Sequence, residues 1–335
     1  MEAIVQEVTI YDIAKMAGVS PSTVSRIINN YPHVKKATRA RVQKLLQEYH
    51  YIPNEAARGL VTQASRIIGI LISDIRTTHH TDGVYYIERE FVRQGYCCLI
   101  FNTGRDEREQ ARYIQLLSQR KVEAAVLMGS IYQTDAVKNA IETYLPTTPV
   151  VICNGYLDSP NVYGLIADEQ SGVFDCVKLL TAKGKKHLAY VVDHDTPSNR
   201  LKQQGFEAGV AKFCNGAVPI VIKTDETRSG AYEATQKLMQ QYPETDGIIF
   251  AEDLLALIGT RALTDMRLQI PEQVSVIGIN NSVFAENSIP TLTSLDNMLY
   301  DLSLTAARNI QAIQQGQRVN KKMMIFSKII EREST

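Results

Sequence analysis

The sequence predicts a small all-α helix-turn-helix head followed by an α/β body of two doubly wound parallel-sheet lobes. Two observations lead to this fold class. Residues 9–30 combine capping residues, a glycine and two short amphipathic runs, which together indicate a helix-turn-helix. From residue 67 onward, apolar runs of strand length alternate with amphipathic helical segments, which is typical of parallel sheets covered on both faces. At 335 residues the chain is long enough for two or three domains.

The first predicted helix starts after Thr9, which can form a capping box with Asp12 three residues on. Ile13, Ala14 and Ala17 give this helix one apolar face. Gly18 ends it in a tight turn, because glycine tolerates a left-handed backbone conformation.

The second predicted helix has Ser20 as its cap and Pro21 in its first turn, where the missing N–H costs nothing. Its apolar residues are expected to pack inward and its polar residues to stay outside. A short polar face after a glycine turn fits the major groove of DNA, and the alternative is an ordinary helical hairpin. The inward residues are Val24, Ile27 and Ile28, and the outward ones are Ser22, Thr23, Ser25, Arg26 and Asn29.

The charge of the chain is unevenly distributed. Basic and acidic residues number 36 each, yet residues 9–60 hold eight basic residues against three acidic ones. A basic head on a slightly acidic body favours a phosphate-binding module joined to a domain that avoids DNA.

The rest of the head and the body follow in order. Residues 37–49 predict a third helix, residues 51–60 a short helical turn after Pro53, and residues 61–65 a linker. Two series of four strands follow, with helices such as 106–120 and 171–183 between them, and they indicate two similar lobes with a cleft between. The predicted strands are 67–72, 96–101, 124–128 and 149–153 in the first series and 187–192, 218–222, 247–251 and 274–279 in the second.

Several function classes find no support in the sequence. No apolar run approaches the length of a membrane span, and the first residues do not form a secretory signal. The five cysteines lack metal-site spacing, so we expect reduced thiols in a cytoplasmic protein without a metal or other cofactor. No nucleotide-binding loop, hydrolase or metalloprotease motif is present, so we expect no enzyme.

Five segments of this chain resemble the lactose/galactose repressor (LacI/GalR) family of bacterial transcription regulators. This resemblance implies a helix-turn-helix head, a hinge helix that enters the minor groove, and a body like a periplasmic sugar-binding protein. The implied domains are 1–50, 51–65 and 66–335, with one lobe at about 66–162 and 293–322 and the other at about 163–292 and 323–335. The segments are TIYDIAKMAGVSPSTVSRIIN (9–29), YIPNEAARGL (51–60), IPEQVSVIG (270–278), IPTLTSL (289–295) and IIERES (329–334).

By position, the resemblance assigns DNA contacts within the head. The positions that match the family's base-reading residues are Pro21, Ser22 and Arg26. Because Pro21 has no side-chain donor, recognition of the bases should depend on Arg26 and on the hinge. An arginine can fork onto guanine O6 and N7. The matched phosphate-holding positions are Thr23, Ser25, Asn29, His33 and Thr38, and the predicted DNA-contacting set also includes Thr9, Tyr11, Ser20, Tyr51 and Asn54.

In the hinge, Leu60 matches the family's leucine that wedges into a central base step, and Ala57 matches the small residue beside it. Such a wedge unstacks and kinks the duplex. Arg58 is a candidate for a phosphate or the minor-groove floor.

Candidate effector-binding residues follow the predicted strands, at the edge where the cleft should lie. Asp74, Arg76, His79 and His80 suggest a hydrogen-bonding effector and a site that senses pH. The alternative is that the histidine pair only caps the following helix. A metal site is a further, weaker alternative.

Other candidates match by position. Lys202 stands where the family has an effector-anchoring arginine, and because lysine cannot form the bidentate fork, Arg200 is a candidate replacement and the effector class stays open. Compared with the family's pattern, carboxylate and amide groups have exchanged places between two strand ends, at Glu252-Asp253 and at Asn280-Asn281. These residues are expected to bracket one ligand. The remaining candidates are Asn154 and Asn297.

The resemblance implies a sequence-specific repressor of carbohydrate-utilisation genes that binds double-stranded DNA at a two-fold symmetric operator as a homodimer. No leucine-heptad tail follows the last strand motif, so we expect no tetramer. A sugar-like effector is expected between the lobes. The alternatives are a phosphorylated carrier protein or a nucleobase as co-effector, and more remotely an uptake binding protein or a sugar-processing enzyme.

Overall fold

The computed structural model describes residues 8–51, 65–224 and 228–335. The chain divides between Ser65 and Arg66 into two compact units, which we call the head and the body. Among the described residues, no helix combines the length and the apolar character needed to cross a membrane.

The head contains three helices, α1 (Ile10–Ala17), α2 (Pro21–Ile28) and α3 (Lys36–Glu48). The predicted capping box is confirmed, because the Thr9 N–H donates to Asp12 Oδ2 at 2.9 Å and the Asp12 N–H donates to Thr9 Oγ1 at 3.4 Å. Gly18 has a φ of 63° and ends α1 in the left-handed conformation. Ser20 caps α2 by accepting the Thr23 N–H. The buried head core is Ile13, Ala14, Ala17, Val24, Ile27 and Val42.

The body alternates strands and helices along its whole length. The strands are β1 (Ile67–Ile72), β2 (Cys97–Asn102), β3 (Ala124–Met128), β4 (Val150–Cys153), β5 (Val162–Asp168), β6 (Leu188–Val192), β7 (Ile220–Lys223), β8 (Gly247–Phe250), β9 (Ser275–Ile279), β10 (Thr293–Asp296), β11 (Lys322–Phe326) and β12 (Lys328–Ile330). The helices are α4 (Thr78–Val92), α5 (Glu107–Gln119), α6 (Asp135–Tyr144), α7 (Glu169–Ala182), α8 (Pro197–Phe213), α9 (Arg228–Gln241), α10 (Asp253–Asp265), α11 (Val283–Asn287) and α12 (Leu299–Gln314).

These strands form two six-stranded sheets within the described residues. The order is β11-β5-β4-β3-β1-β2 in the first lobe and β12-β10-β9-β8-β6-β7 in the second. All neighbouring strands are parallel except β10 and β12. The first sheet is covered on both faces by separate buried clusters, so its doubly wound character is confirmed.

The chain crosses between lobes later than the resemblance implied. β5 pairs with β4 and β11 in the first sheet, and its Leu165 and Ala167 lie in the first lobe's core. β10 belongs to the second sheet and β11 to the first. The predicted crossings near residues 162, 293 and 322 were therefore wrong by one strand length, because the chain crosses at the ends of these strands and not at their starts.

Candidate functional site

The outward face of α2 carries the predicted DNA-reading residues. Ser22, Arg26 and Asn29 are exposed, as are Tyr11 and His33 elsewhere in the head. Within the described residues, the Arg26 guanidinium makes no hydrogen bond or ion pair, so its five N–H donors are available for a base edge.

The neighbouring polar groups on α2 are partly held by the helix itself. Ser20 Oγ lies 2.8 Å from Ser22 Oγ and 2.9 Å from Thr23 Oγ1, and the Asn29 amide donates to the Ser25 carbonyl at 2.9 Å. These contacts orient the hydroxyls of Ser20, Ser22 and Thr23 at the start of α2.

Tyr51 lies beside the head's core and not on an open face. Its half-buried ring packs against that core, and burial raises the pKa of its phenol. The predicted hinge contacts of Asn54, Ala57, Arg58 and Leu60 lie outside the described residues.

A cavity of about 160 Å³ lies in the body, where the carboxyl ends of both sheets meet. This volume is well below the roughly 300–1,000 Å³ of drug-sized pockets and fits a small polar molecule. Six of the predicted effector residues line it, namely His79, His80, Asn154, Lys202, Glu252 and Asn280. Apolar surface comes from Met128, Ile131, Leu299 and Leu302.

Sequence reasoning missed several lining residues. Arg105 lies shortly after β2, and Asp193 and His194 directly follow β6, so the strand-end rule that identified Asn154 also applies to them. Glu169 begins α7, directly after β5, which the sequence analysis had not predicted. The other missed polar lining residues are Ser73, Thr77, Ser130, Thr196, Ser198 and Asn199.

Lys202 is buried on the wall of this cavity, and its ammonium is held by protein groups. Its Nζ lies 3.3 Å from Glu169 Oε1, and donates to Asn199 Oδ1 at 3.3 Å and to the Ala251 carbonyl at 3.2 Å. An ammonium has three N–H donors, and two of them are used in these hydrogen bonds, while Glu169 supplies the opposite charge. Lys202 therefore fixes the cavity wall and is held mainly by protein groups, unlike the ligand-anchoring arginine expected from the family.

Glu169, which lines the cavity, is the centre of a buried polar network. Besides Lys202, it accepts from Ser198 Oγ at 2.5 Å and from Asn297 Nδ2 at 2.9 Å. Asn297 also donates to Asn280 Oδ1 at 3.0 Å. The predicted residue Asn297 thus lies below the cavity and supports Asn280, which lines it.

Three predicted effector residues are held on the surface by partners close in sequence. Asp74 and Arg76 form an ion pair at 2.7 Å, which holds the pKa of Asp74 at about 2. Arg200 is exposed and pairs with Asp195 at 2.7 Å. Residues two apart on a helix do not share a face, so Arg200 cannot replace the arginine missing at Lys202. For these three residues, the prediction that they line the cleft was wrong.

Asp253 was also wrongly predicted to face the ligand. It is buried and accepts the Ser282 N–H at 2.7 Å and the Ser294 hydroxyl at 2.6 Å. Strand β9 packs closely on it, because a Cβ at Gly278 would lie 2.2 Å from Asp253 Oδ1. Asp253 is therefore a structural residue of the second lobe.

The histidine pair lies within the first turn of α4. Burial lowers the pKa of His79 to about 3 and also lowers that of His80, so both imidazoles are neutral near pH 7. These lowered pKa values argue against the two histidines as the titrating groups of a pH-sensing site. His80 Nδ1 lies 3.4 Å from the Asp74 carbonyl, whereas the buried Nδ1 of His79 has no hydrogen-bond partner.

Glu252 lines the cavity, and the pKa of its carboxyl is raised to near neutral pH. Burial, helped by the nearby Asp193 and Asp253 and opposed by Lys202 and Arg105, raises the pKa of its carboxyl to about 7. The group therefore lies close to half-protonation at neutral pH.

We expect Glu252 to make the body less stable as pH rises. Between the ordinary glutamate pKa and about 7, the folded chain binds more protons at this site than the unfolded chain, so the free energy of unfolding falls with rising pH. The limiting slope is about 1.4 kcal/mol per pH unit for one proton. Urea unfolding at a series of pH values measures it, and the slope should be smaller in Glu252→Gln. An equal slope in both chains would contradict the assignment.

Among the residues that the structure describes, two contacts join the lobes across the cavity. The Ser198 N–H, at the start of α8, donates to Ser130 Oγ at 3.0 Å. Arg105 of the first lobe contacts His194 of the second, with Nη1 2.7 Å from Nδ1. Movement of one lobe against the other must break or rearrange these contacts.

Metal and thiol chemistry are not prominent in the part of the chain that the structure covers. Among those residues no cluster of three or more histidine, cysteine or acidic side chains could hold a metal ion. The five cysteines are free, and burial raises the pKa of Cys153, which lines the cavity, to about 12.

Comparison with known proteins identifies both units. The family model described as bacterial regulatory proteins of the lacI family matches residues 9–54, and a periplasmic binding protein-like domain matches residues 177–335. An HTH-type transcriptional regulator of Lachnoclostridium phytofermentans is 31% identical over 332 residues, covering 97% of this chain and 99% of that protein.

A ribose operon repressor of Halalkalibacterium halodurans is 26% identical, covering 98% of this chain and 97% of that protein. Among solved structures, the lac repressor dimer bound to operator and the anti-inducer ONPF superposes with a TM-score of 0.88 at 24% identity. That match covers 98% of this chain and 99% of the other.

Proposed function

Because this chain belongs to the LacI family of bacterial regulatory proteins, we propose that it represses carbohydrate-utilisation genes under the control of a sugar-like effector. We assign the head, residues 1–50, to the operator, residues 51–65 to a hinge, and residues 66–335 to effector binding and dimerisation. The proposed protein is a cytoplasmic homodimer without catalytic activity, since two heads are needed to read a two-fold symmetric site.

The observation that carries the proposal is the cavity at the carboxyl ends of both sheets. Its wall combines planar polar groups with apolar side chains, which is the composition that sugar hydroxyls and a sugar ring require. Residues of both lobes line it, so a bound ligand contacts both lobes and can favour one arrangement of them. The regulated operon in the ribose repressor's name supports a carbohydrate role.

A nucleobase fits the described lining less well. Flat bases are usually held by stacking on aromatic rings, and the described lining offers histidine imidazoles but no tyrosine, phenylalanine or tryptophan. A phosphorylated carrier protein would bind an outer surface and not the cavity. It would therefore change operator affinity without competing with a sugar for the cleft.

The experiment has two parts on the full-length chain. Operator sequences are selected from random duplex DNA, and binding of mono- and disaccharides is measured by calorimetry. We expect a palindromic operator and at least one sugar that binds. Failure to select any sequence would overturn the DNA-binding assignment, and selection without sugar binding would favour the carrier-protein alternative.

We expect Leu60→Ala to weaken operator binding without unfolding the body. An alanine cannot wedge between base pairs, so the contacts that the bent duplex permits are lost. Operator affinity by fluorescence anisotropy and the urea-unfolding curve of the same variant check both halves of this prediction. Unchanged operator affinity would contradict the hinge assignment.

A further inference from the structure

Two cations that line the cavity, Lys202 and Arg105, are held by protein groups. The Lys202 ammonium donates to Asn199 Oδ1 and to the Ala251 carbonyl, and it pairs with the Glu169 carboxylate at 3.3 Å. The Arg105 guanidinium is engaged with His194 across the cleft. Both cations thus make contacts within the protein, and a phosphate or carboxylate ligand would have to compete with Glu169 and His194 for them.

The acidic groups are arranged differently. Asp193 and Glu252 follow β6 and β8, which are adjacent parallel strands, so the two carboxylates stand at the same edge of the second sheet. Asp193 pairs with His194 Nε2 at 3.1 Å. The Glu252 carboxylate makes no hydrogen bond or ion pair with any described residue.

A second group in the wall of the cavity also lacks a partner among the described residues. His79 Nδ1 is buried and unpartnered, and it belongs to the first lobe, opposite the wall that carries Glu252. This nitrogen has almost no accessible surface, so a ligand does not reach it, and the unpaired Glu252 carboxylate is the group that a molecule in the cavity would complete.

We propose that the effector carries an ammonium group and that Glu252 is its counter-ion, so that the cavity selects an amino sugar over the parent sugar. This inference rests on the proposed sugar-effector function and narrows its ligand class. An ionised carboxylate in a buried site is costly unless it is paired, and an ammonium supplies both the charge and the donors. A neutral hydroxyl supplies a donor alone.

The charged groups around Glu252 fit this assignment. Asp193 and Asp253 repel the negative charge of Glu252, whereas Lys202 and Arg105 attract it. Burial is the largest of these effects on its pKa, and it favours the protonated acid. A ligand ammonium reverses that balance by stabilising the ionised form. Binding at about pH 6.5 therefore releases a proton from Glu252, and affinity rises with pH as Glu252 ionises, as long as the ligand amine remains charged.

The test uses calorimetry on the full-length chain with three matched pairs: D-glucosamine and D-glucose, D-galactosamine and D-galactose, and D-mannosamine and D-mannose. For the stereoisomer that binds, we expect the amino sugar to bind at least about tenfold tighter near pH 7. Measurements in phosphate and in Tris should show proton release for the amino sugar and none for the parent sugar, because the two buffers differ in ionisation heat.

Glu252→Gln keeps the shape of the side chain and should abolish both the preference and the proton release. Glu272→Gln removes an exposed carboxylate from the same lobe and should preserve both. Equal or tighter binding of the parent sugar would overturn this inference and leave the sugar-effector function standing. A chain that binds another sugar of the mono- and disaccharide panel but none of these six overturns this inference alone, whereas a chain that binds no sugar at all overturns the sugar-effector proposal as well.

Discussion

Arg26→Ala is expected to remove most of the chain's preference for its operator while leaving weak, salt-sensitive binding to any duplex. The reason is that Arg26 is exposed on α2 with uncommitted donors, and a bidentate arginine–guanine contact contributes about 1–3 kcal/mol of discrimination. The remaining basic residues of the head still attract phosphates. Operator and scrambled duplex affinities, measured at two salt concentrations, give the ratio directly.

Arg41→Ala is the matched control for this change. It removes the same charge from another exposed position of the head, on α3, and should lower affinity for both duplexes while keeping their ratio. An Arg26→Ala chain that keeps the wild-type ratio would contradict the assignment of Arg26 to base reading.

Lys202→Met is expected to destabilise the body by about 3–5 kcal/mol, because it leaves the Glu169 carboxylate buried without its cation. The chain length of methionine keeps most of the volume of the lysine stem. Urea unfolding measures the loss. The double variant Glu169→Gln with Lys202→Met should recover part of it, since the uncompensated charge is then absent.

The control for Lys202 lies on the same helix. Lys212 is exposed on α8, and Lys212→Met should change stability by less than about 0.5 kcal/mol. A loss below about 1 kcal/mol in Lys202→Met would show that Glu169 is solvated or paired by other groups, and the role assigned to Lys202 would fail.

The sequence predicted the parts of the fold that depend on local pattern. Strands β1 and β3 are found at the predicted residues, because each is an unbroken apolar run between polar segments. The caps of α1 and α2 are also local, since Thr9 and Ser20 act on residues three positions away. Strand β11 escaped prediction, because it is an edge strand whose residues alternate between exposed and half-buried.

The site was harder to predict, since its geometry depends on contacts between distant segments. The prediction that Arg200 replaces the arginine missing at Lys202 was avoidable, because residues two apart on a helix lie on different faces. By contrast, the partners of Lys202 include Glu169 and the Ala251 carbonyl, which lie far along the chain. Glu252 and Asp253 are consecutive, yet one lines the cavity and the other is buried under β9, which sequence order does not reveal.

The central claim is that a ligand in the body's cavity controls operator binding by the head. The most direct measurement is the operator dissociation constant of the full-length chain during titration with a sugar that calorimetry has shown to bind. We predict a change of tenfold or more, corresponding to about 1.4 kcal/mol of coupling. An unchanged operator dissociation constant at a saturating concentration of that sugar would contradict the claim.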